Sequence, residues 1–261
     1  MSARRPEITL LYRDDDVVVA AKPSGLLVHR GWGDDEVVAM TLVRDLVGRH
    51  VHPVHRLDRA TSGALVFALH PEAARALSAA WEAGAVAKRY VALVRGLAPE
   101  RGVVDHPVPR AEGGPRVPAV TWFRRLVALD GPYSVVEAEP KTGRLHQIRR
   151  HMKHLSHPLI GDVNYGKGDH NRLFRERWGL HRLALHASSI ALPHPRTGAR
   201  LAVSAPPPAD LSEPFDRLGV PAFVWDAEPW FDGLGTRGIG VAEANGGEGG
   251  LGRLASEPPE R

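Results

Sequence analysis

The 261-residue chain contains no cysteine. A disulfide framework and a thiolate metal site are therefore excluded, and the absence agrees with a reducing compartment. Long apolar runs are also missing, and the first residues lead into no apolar signal segment. We therefore expect a soluble, cytoplasmic protein without a membrane span.

Lysine is scarce, because only five of the 34 basic residues are lysines and the other 29 are arginines. The planar fork of arginine fits phosphates and stacks on bases, so this balance is compatible with a nucleic-acid partner. A GC-rich coding sequence would give the same excess of arginine. On composition alone that plainer explanation is the better one.

Motifs for metals and nucleotide cofactors are absent too. The chain has 14 histidines, but it has no HExxH pattern, no P-loop and no GxGxxG after a predicted strand. His146, His151, His154 and His157 lie close together, yet they stand among arginines that would repel a cation. We expect no bound metal and no cofactor.

Apolar patterning predicts a protein made mainly of strands. Seven segments read as a hairpin or as strands: 8–21, 64–69, 89–94, 120–129, 133–138, 183–192 and 201–204. Helical spacing or start and stop signals predict short helices over residues 37–48, 71–83 and 147–155. The stretch 98–118 is rich in proline and glycine and is predicted to be a loop.

These elements predict an α+β fold with a mixed, mostly antiparallel β-sheet flanked by short helices and loops. One domain is expected over residues 1–225. Residues 235–261 hold many glycines and almost no large apolar side chain, so we expect a disordered tail there.

The first polar cluster interrupts the predicted strands at His55-Arg56-Leu57-Asp58-Arg59, followed by Thr61-Ser62-Gly63. The neighbouring guanidinium groups favour the charged form of the Asp58 carboxyl group. An ionised carboxylate is what nucleophilic catalysis at a sugar or base carbon requires. An aspartate that caps the turn at the surface would show the same pattern, and the residues alone favour that role.

The second cluster, residues 140–154, contains five Lys or Arg and three His residues but no acid. Such a block is typical of a phosphate-facing surface or of a source of cations for a buried carboxylate. Leu145, Ile148 and Met152 form an apolar stripe that would fix it against a core. A solvated helix face is an equally good explanation.

The third cluster opens a predicted strand with Lys88, Arg89 and Tyr90. Tyr90 could stack on a base or pack in the core, and packing is the better explanation from the residues alone.

Together these segments resemble the RluA family of pseudouridine synthases. His55–Asp58 with Thr61–Gly63 is similar to the catalytic motif of that family, and four further motifs follow the family order. They lie at residues 22–29, 88–90, 140–151 with 157–162, and 182–187. Details at residues 28–32, 51–53, 149–151, 162–166, 171–172 and 178–182 resemble the subgroup that isomerises uridine 65 of tRNA.

The resemblance implies roles for individual residues. Asp58 would be the catalytic carboxylate, Arg149 would pair with it, and Tyr90 would pack against the flipped uracil and could accept the C5 proton. Arg56 would enter the space that the extruded base leaves. The residues expected to bind RNA are Arg56, Arg59, Lys141, Arg144, His146, Arg150 and Lys153. The partner would be RNA, most simply tRNA, and the protein would act as a monomer without the N-terminal S4-like domain of many relatives.

Three alternatives stay open at this point. The target could be a ribosomal-RNA uridine, or the chain could be an RNA-binding protein that has lost catalysis. A glycoside hydrolase would also use a carboxylate at an anomeric carbon, but it needs a second acid. Asp162 could be proposed for that role, although its Gly-Asp turn looks structural.

Overall fold

The computed structural model describes residues 6–30 and 37–226. The strands in these ranges are β1 (Thr9–Arg13), β2 (Val17–Lys22), β3 (His52–Pro53), β4 (Ser62–Ala68), β5 (Ala87–Arg95), β6 (Arg101–Asp105), β7 (Val108–Pro109), β8 (Arg116–Val117), β9 (Val120–Leu129), β10 (Tyr133–Pro140), β11 (Leu185–Pro193) and β12 (Arg200–Ser204). The helices are α1 (Ala39–Val47), α2 (Pro71–Glu82), α3 (Gln147–His154), α4 (Gly168–Trp178), α5 (Ala209–Arg217) and α6 (Phe223–Asp226).

Ten strands form one twisted sheet in which β1, β2, β4, β11, β5, β10, β9 and β6 lie side by side in that order. Strand β3 pairs with β4, and β12 pairs with β11. The contact between β4 and β11 is parallel, whereas the other ladders of the described ranges are antiparallel. The predicted α+β fold with a mixed, mostly antiparallel sheet is therefore confirmed.

The central strands are buried on both faces, which explains their continuous apolar sequences. All seven residues of β4 are buried. Leu65 and Phe67 join an apolar cluster under α1 and α3, whereas Ala64 and Val66 join a second cluster under α2. This alternation follows from the two-residue period of a strand and places helices on both sides of the sheet.

The prediction of a loop over residues 98–118 is wrong. Strand β6 occupies part of it and pairs with β9 at the sheet edge, and β7 and β8 form a separate hairpin. These strands are too short to show an apolar alternation and lie among proline and glycine residues, so their pairing partner is what reveals them. Helices α4, α5 and α6 were likewise not predicted.

Some expectations concern residues that the structure does not describe. The tail 235–261 and the pair Gly31 and Trp32 lie outside the described residues. The boundary of a catalytic domain at residue 225 stays a prediction. Among the helices of residues 6–30 and 37–226, none has the length and apolar character needed to cross a membrane.

Gly63 allows β4 and β11 to approach each other beside the polar loop that precedes β4. Its φ is +118°, and a Cβ atom there would overlap the backbone carbonyl of Ala187. We expect Gly63→Ala to lower the free energy of unfolding by about 3–5 kcal/mol, because strain and steric overlap add. Urea unfolding measures this change.

Gly168→Ala is the matched control, since a Cβ atom there meets open space. It should change the free energy of unfolding by less than about 1 kcal/mol. A Gly63→Ala variant as stable as this control would contradict the close approach of β4 and β11.

Candidate active site

The loop between β3 and β4 presents Asp58 to a cavity of about 540 Å³. Leu57 points into the core with 4% exposure, whereas the Asp58 side chain is 19% exposed and lines the cavity. The Thr61 amide donates to the Asp58 carbonyl at 3.0 Å, which closes a tight turn. The carboxylate therefore faces the cavity from a loop that the core holds on its other side.

His55 fastens the same loop to the sheet. Its Nε2 atom accepts a hydrogen bond of 2.9 Å from the Val66 amide in β4. Burial and, to a smaller extent, the charge of Lys88 together lower the pKa of His55 to about 3. The ring is therefore neutral at pH 7, with its remaining proton on Nδ1.

The first motif of the sequence braces this loop from the other side. Lys22 is 1% exposed, and its Nζ donates to the carbonyls of Pro23, Leu26 and Arg59 at 2.8, 2.7 and 3.2 Å. The Ser24 hydroxyl donates to the Ala60 carbonyl at 2.8 Å. These bonds explain why a lysine and a turn far from Asp58 in sequence belong to the same site.

Arg149, in α3, lies between two carboxylates. Its Nε and Nη2 atoms donate to Asp162 at 2.7 and 2.9 Å, and its Nη1 atom lies 3.4 Å from the nearer Asp58 oxygen. The predicted pairing with Asp58 is present, but the tighter partner is Asp162. The guanidinium group is thus held by one carboxylate and offers its remaining nitrogen to the other.

Asp162 is fully buried and well supplied with donors. Besides Arg149, the amides of Asn164 and Tyr165 donate to it at 2.9 and 3.0 Å. Burial raises the pKa of Asp162, but the hydrogen bonds and charge of Arg149 and the backbone bonds outweigh it, so the net pKa is lowered. This carboxylate stays ionised, whereas the sequence suggested either a structural turn or the second acid of a hydrolase.

Tyr90 reaches the same cavity from β5, between β11 and β10. It is 9% exposed and also belongs to the apolar cluster under α1 and α3. Tyr90 therefore packs in the core and lines the cavity as well. Burial raises the pKa of the phenol strongly, and the charge of Asp58 raises it further. Tyr90 keeps its proton at neutral pH.

The residues predicted to bind RNA divide into two groups. Arg56, Arg144 and His146 line the cavity with Asp58. The other members, which do not line it, are Arg59, Lys141, Arg150 and Lys153.

Several cations of the second polar cluster have partners near them. Lys141 pairs with Glu139, and Arg150 donates to the Tyr165 hydroxyl at 2.8 Å and to the Pro109 carbonyl at 2.9 Å. The cluster has no acid within its own sequence, but the sheet and the turn after α3 bring acids to it. Its surface is consequently less positive than the sequence suggests.

His146 stands beside the carboxylate with a left-handed backbone, at φ 53°. Its Nε2 atom lies 3.9 Å from Asp58, and its Nδ1 atom lies 3.1 Å from the Tyr165 hydroxyl. Burial lowers the pKa of His146, although the charge of Asp58 opposes this. A neutral imidazole therefore borders the cavity.

A candidate metal cluster lies away from this cavity. Asp14, Asp16 and His194 place ligand atoms within 4.8 Å of one another. Arg196 donates to Asp16 at 2.8 Å, however, so a guanidinium group already pairs with one of the two acids. This chemistry fits an ion-pair network better than a metal.

The residues that line the cavity without having been assigned to it from sequence include two large cations and a tryptophan. Trp81 lies at the end of α2, Lys88 begins β5, and Arg110 lies in the hairpin of β7 and β8. Lys88 had a visible signal as part of the third polar cluster. Trp81 and Arg110 had none, because only the folded chain brings their elements to Asp58.

Comparison with known proteins identifies the family of this chain. Residues 16–154 match the family model described as RNA pseudouridylate synthase, a range that contains Asp58, Tyr90 and Arg149. A tRNA pseudouridine synthase C of Haemophilus ducreyi is 42% identical over 76% of this chain and 90% of its own length. The tRNA pseudouridine synthase C of Vibrio parahaemolyticus is 39% identical over 85% of this chain and 97% of its own length.

Solved structures show the same fold. Human RNA pseudouridylate synthase domain containing 4 superposes with a TM-score of 0.67 at 28% identity, over 80% of this chain and 92% of that one. Human RNA pseudouridylate synthase domain containing 1 gives a TM-score of 0.66 at 27% identity, over 80% and 86% of the two chains. On these matches, the chain belongs to the RluA-type family of RNA pseudouridine synthases.

Proposed function

We propose that this protein converts uridine 65 of tRNA to pseudouridine, with Asp58 as its catalytic carboxylate. Relatives that cover most of this chain carry the name tRNA pseudouridine synthase C, which supports tRNA as the substrate. The observation that carries the chemistry is the Asp58 carboxylate, which faces a cavity of about 540 Å³ beside the anchored guanidinium of Arg149. Cavities of this size are typical of small-molecule sites and can receive one flipped nucleotide.

The reaction breaks the N1–C1′ bond, turns the uracil and joins C5 to C1′, with loss of the C5 proton. It is an isomerisation, so it consumes no redox equivalent and no group donor. Asp58 acts either as the nucleophile at C1′ or as the base that removes a sugar proton. Both roles need an ionised carboxylate, and Arg149 supplies a positive charge 3.4 Å from it.

Tyr90 lines the cavity and is suited to pack against the uracil ring. Its phenol keeps its proton at neutral pH, which makes it a poor acceptor for the C5 proton. We therefore assign Tyr90 to holding the uracil ring in the cavity. This narrows the sequence-based expectation, which left proton transfer open.

Extrusion of a stacked uridine costs about a few kcal/mol. Arg56 lines the cavity, is exposed and has no ion-pair partner among residues 6–30 and 37–226. A free guanidinium group two residues before Asp58 can occupy the space that the base leaves and stack on its former neighbours. We assign that role to Arg56.

Phosphate contacts should make RNA binding sensitive to salt. Lys153 is exposed on α3, the helix that also carries Arg149. We expect Lys153→Ala to weaken tRNA binding and to reduce the slope of log Kd against log salt by about one unit. Filter binding over a series of salt concentrations measures both values.

Arg217→Ala is the matched control for that experiment. Arg217 is 54% exposed on α5 and pairs with Glu213, and it does not line the cavity. Its removal should leave the slope unchanged. Equal slopes for Lys153→Ala and the wild type would remove Lys153 from the proposed RNA surface.

Asp162 weighs against the glycoside hydrolase alternative. A second carboxyl group would have to donate a proton to a leaving group. Both oxygens of Asp162 accept hydrogen bonds from Arg149, and the lowered pKa keeps this carboxylate ionised. It cannot serve as a general acid.

Chemical mapping of pseudouridine with carbodiimide tests the choice of RNA. Total tRNA and ribosomal RNA from cells with and without the gene would be compared. We expect loss of the signal at tRNA position 65, and loss of a ribosomal-RNA signal alone would contradict the proposal. A tRNA substrate would also place the protein in the cytoplasm, where we expect it to act as a monomer.

A further inference from the structure

An aromatic stack forms part of the cavity wall. Trp81, in the last turn of α2, stacks on His55 with ring centroids 4.9 Å apart and planes inclined by 21°. Both rings line the cavity that contains Asp58. Isomerisation at C1′ gives neither ring a chemical role.

The stack is fixed in place and uncharged. His55 accepts the Val66 amide at 2.9 Å, so its ring cannot turn without losing that bond. Trp81 is partly buried and also packs against the apolar cluster under α2. A rigid, neutral aromatic surface of this kind suits a nucleic-acid base, because every base has a π-face and stacking on it is tolerant of sequence.

A cation lies beside the stack. Lys88 lines the same cavity, and its Nζ atom is 3.4 Å from the Thr142 carbonyl. Burial lowers the pKa of Lys88 to about 8, although the charge of Glu139 opposes this. The ammonium group is therefore mostly protonated at neutral pH and can bind a phosphate.

We propose that the His55–Trp81 stack and Lys88 form a second nucleotide subsite, which binds the nucleotide adjacent to the target uridine. Its base stacks on the aromatic pair, and its phosphate pairs with Lys88. This proposal rests on the proposed function. Removal of a uridine from a stem deprives its neighbours of a stacking partner, and an aromatic surface next to the cavity replaces that contact.

A double-mutant cycle between protein and RNA tests the subsite. Trp81→Leu keeps apolar bulk but removes the π-face. The affinities of this variant and of the wild type are measured for intact tRNA and for tRNA with an abasic nucleotide at either position next to uridine 65. We expect one abasic position to weaken wild-type binding about tenfold and to weaken Trp81→Leu binding less than about twofold. Equal penalties for the two proteins at every position would overturn the proposal.

Two controls separate stacking from folding. Trp81→Phe keeps an aromatic face, so the abasic nucleotide should weaken its tRNA binding about as much as it weakens wild-type binding. Phe223→Leu alters an aromatic residue that is 52% exposed and does not line the cavity. The abasic nucleotide should therefore weaken its tRNA binding as much as it weakens wild-type binding. If the abasic nucleotide had little effect on the binding of Phe223→Leu as well, a specific role for Trp81 would be contradicted.

A measurement on the unaltered protein covers the case in which Trp81→Leu does not fold. 2-Aminopurine placed next to uridine 65 should lose fluorescence when the wild-type complex forms, because its base stacks on the aromatic pair. Unchanged or increased fluorescence at both neighbouring positions would overturn the subsite. Pseudouridine formation on unmodified tRNA is measured in parallel, so an inactive wild type would count against the proposed function instead.

Discussion

We expect Asp58→Asn to abolish pseudouridine formation, with a loss of at least about 10⁴-fold, and to leave tRNA affinity within about threefold of the wild-type value. The amide has the size of the carboxylate but lacks its charge and its nucleophilicity. Arg149 keeps its two hydrogen bonds to Asp162, so the wall of the cavity should stay in place. Single-turnover assays and filter binding measure the two effects separately.

Asp169→Asn is the matched control for this change. Asp169 is 95% exposed on α4 and does not line the cavity, so the same substitution there should have wild-type activity. Appreciable product from Asp58→Asn, after exclusion of deamidation back to aspartate, would remove Asp58 from the reaction.

Arg149→Ala should lose most of the activity and much of the stability. The change leaves Asp162 fully buried without its charged partner, which costs about 3–5 kcal/mol of the free energy of unfolding. It also removes the positive charge beside Asp58. Turnover and urea unfolding measured on the same preparation give both values.

A double variant separates the two roles of Arg149. Arg149→Met combined with Asp162→Asn removes the buried unpaired charge, so part of the lost stability should return. Activity should stay low, because the charge beside Asp58 is still missing. Recovery of wild-type turnover in the double variant would show that Arg149 only supports the fold.

The Arg149–Asp162 pair also predicts a dependence of stability on pH. The folded pKa of Asp162 is lowered, so its contribution is complete above the ordinary value of about 4 and is lost as pH falls through the folded pKa. The wild type should therefore lose more stability on acidification than the double variant does. An identical pH profile for both proteins would contradict this assignment.

The sequence predicted most of the sheet, because long apolar segments such as β9 and β10 need no partner to be visible. The edge strand β6 and the hairpin of β7 and β8 were missed, since their sequence shows proline and glycine rather than alternation. These strands are defined by the strands that they pair with, and the local sequence pattern does not contain that information.

The candidate site was predicted in part for a similar reason. Asp58, Tyr90 and Arg149 lie in polar clusters that interrupt strands, so they drew attention. Asp162 was considered only as the second acid of a hydrolase, because its Gly-Asp turn is also what a structural turn looks like. Its importance comes from Arg149, which the fold brings within 2.7 Å of it.

Charge counted along the chain also differs from charge in space. Residues 140–154 contain no acid, yet Glu139, Asp58 and Asp162 all approach their cations. Part of the cluster therefore organises the cavity. Exposed members such as Lys153 are the ones that we expect to contact phosphates.

The most direct test of the account uses purified protein and a tRNA transcript whose uridines carry tritium at C5. Isomerisation removes the C5 hydrogen and keeps the base in the RNA. We expect release of one equivalent of tritium per tRNA, with the new pseudouridine at position 65 and no free uracil. Free uracil, or no tritium release from a folded protein that binds the tRNA, would contradict it.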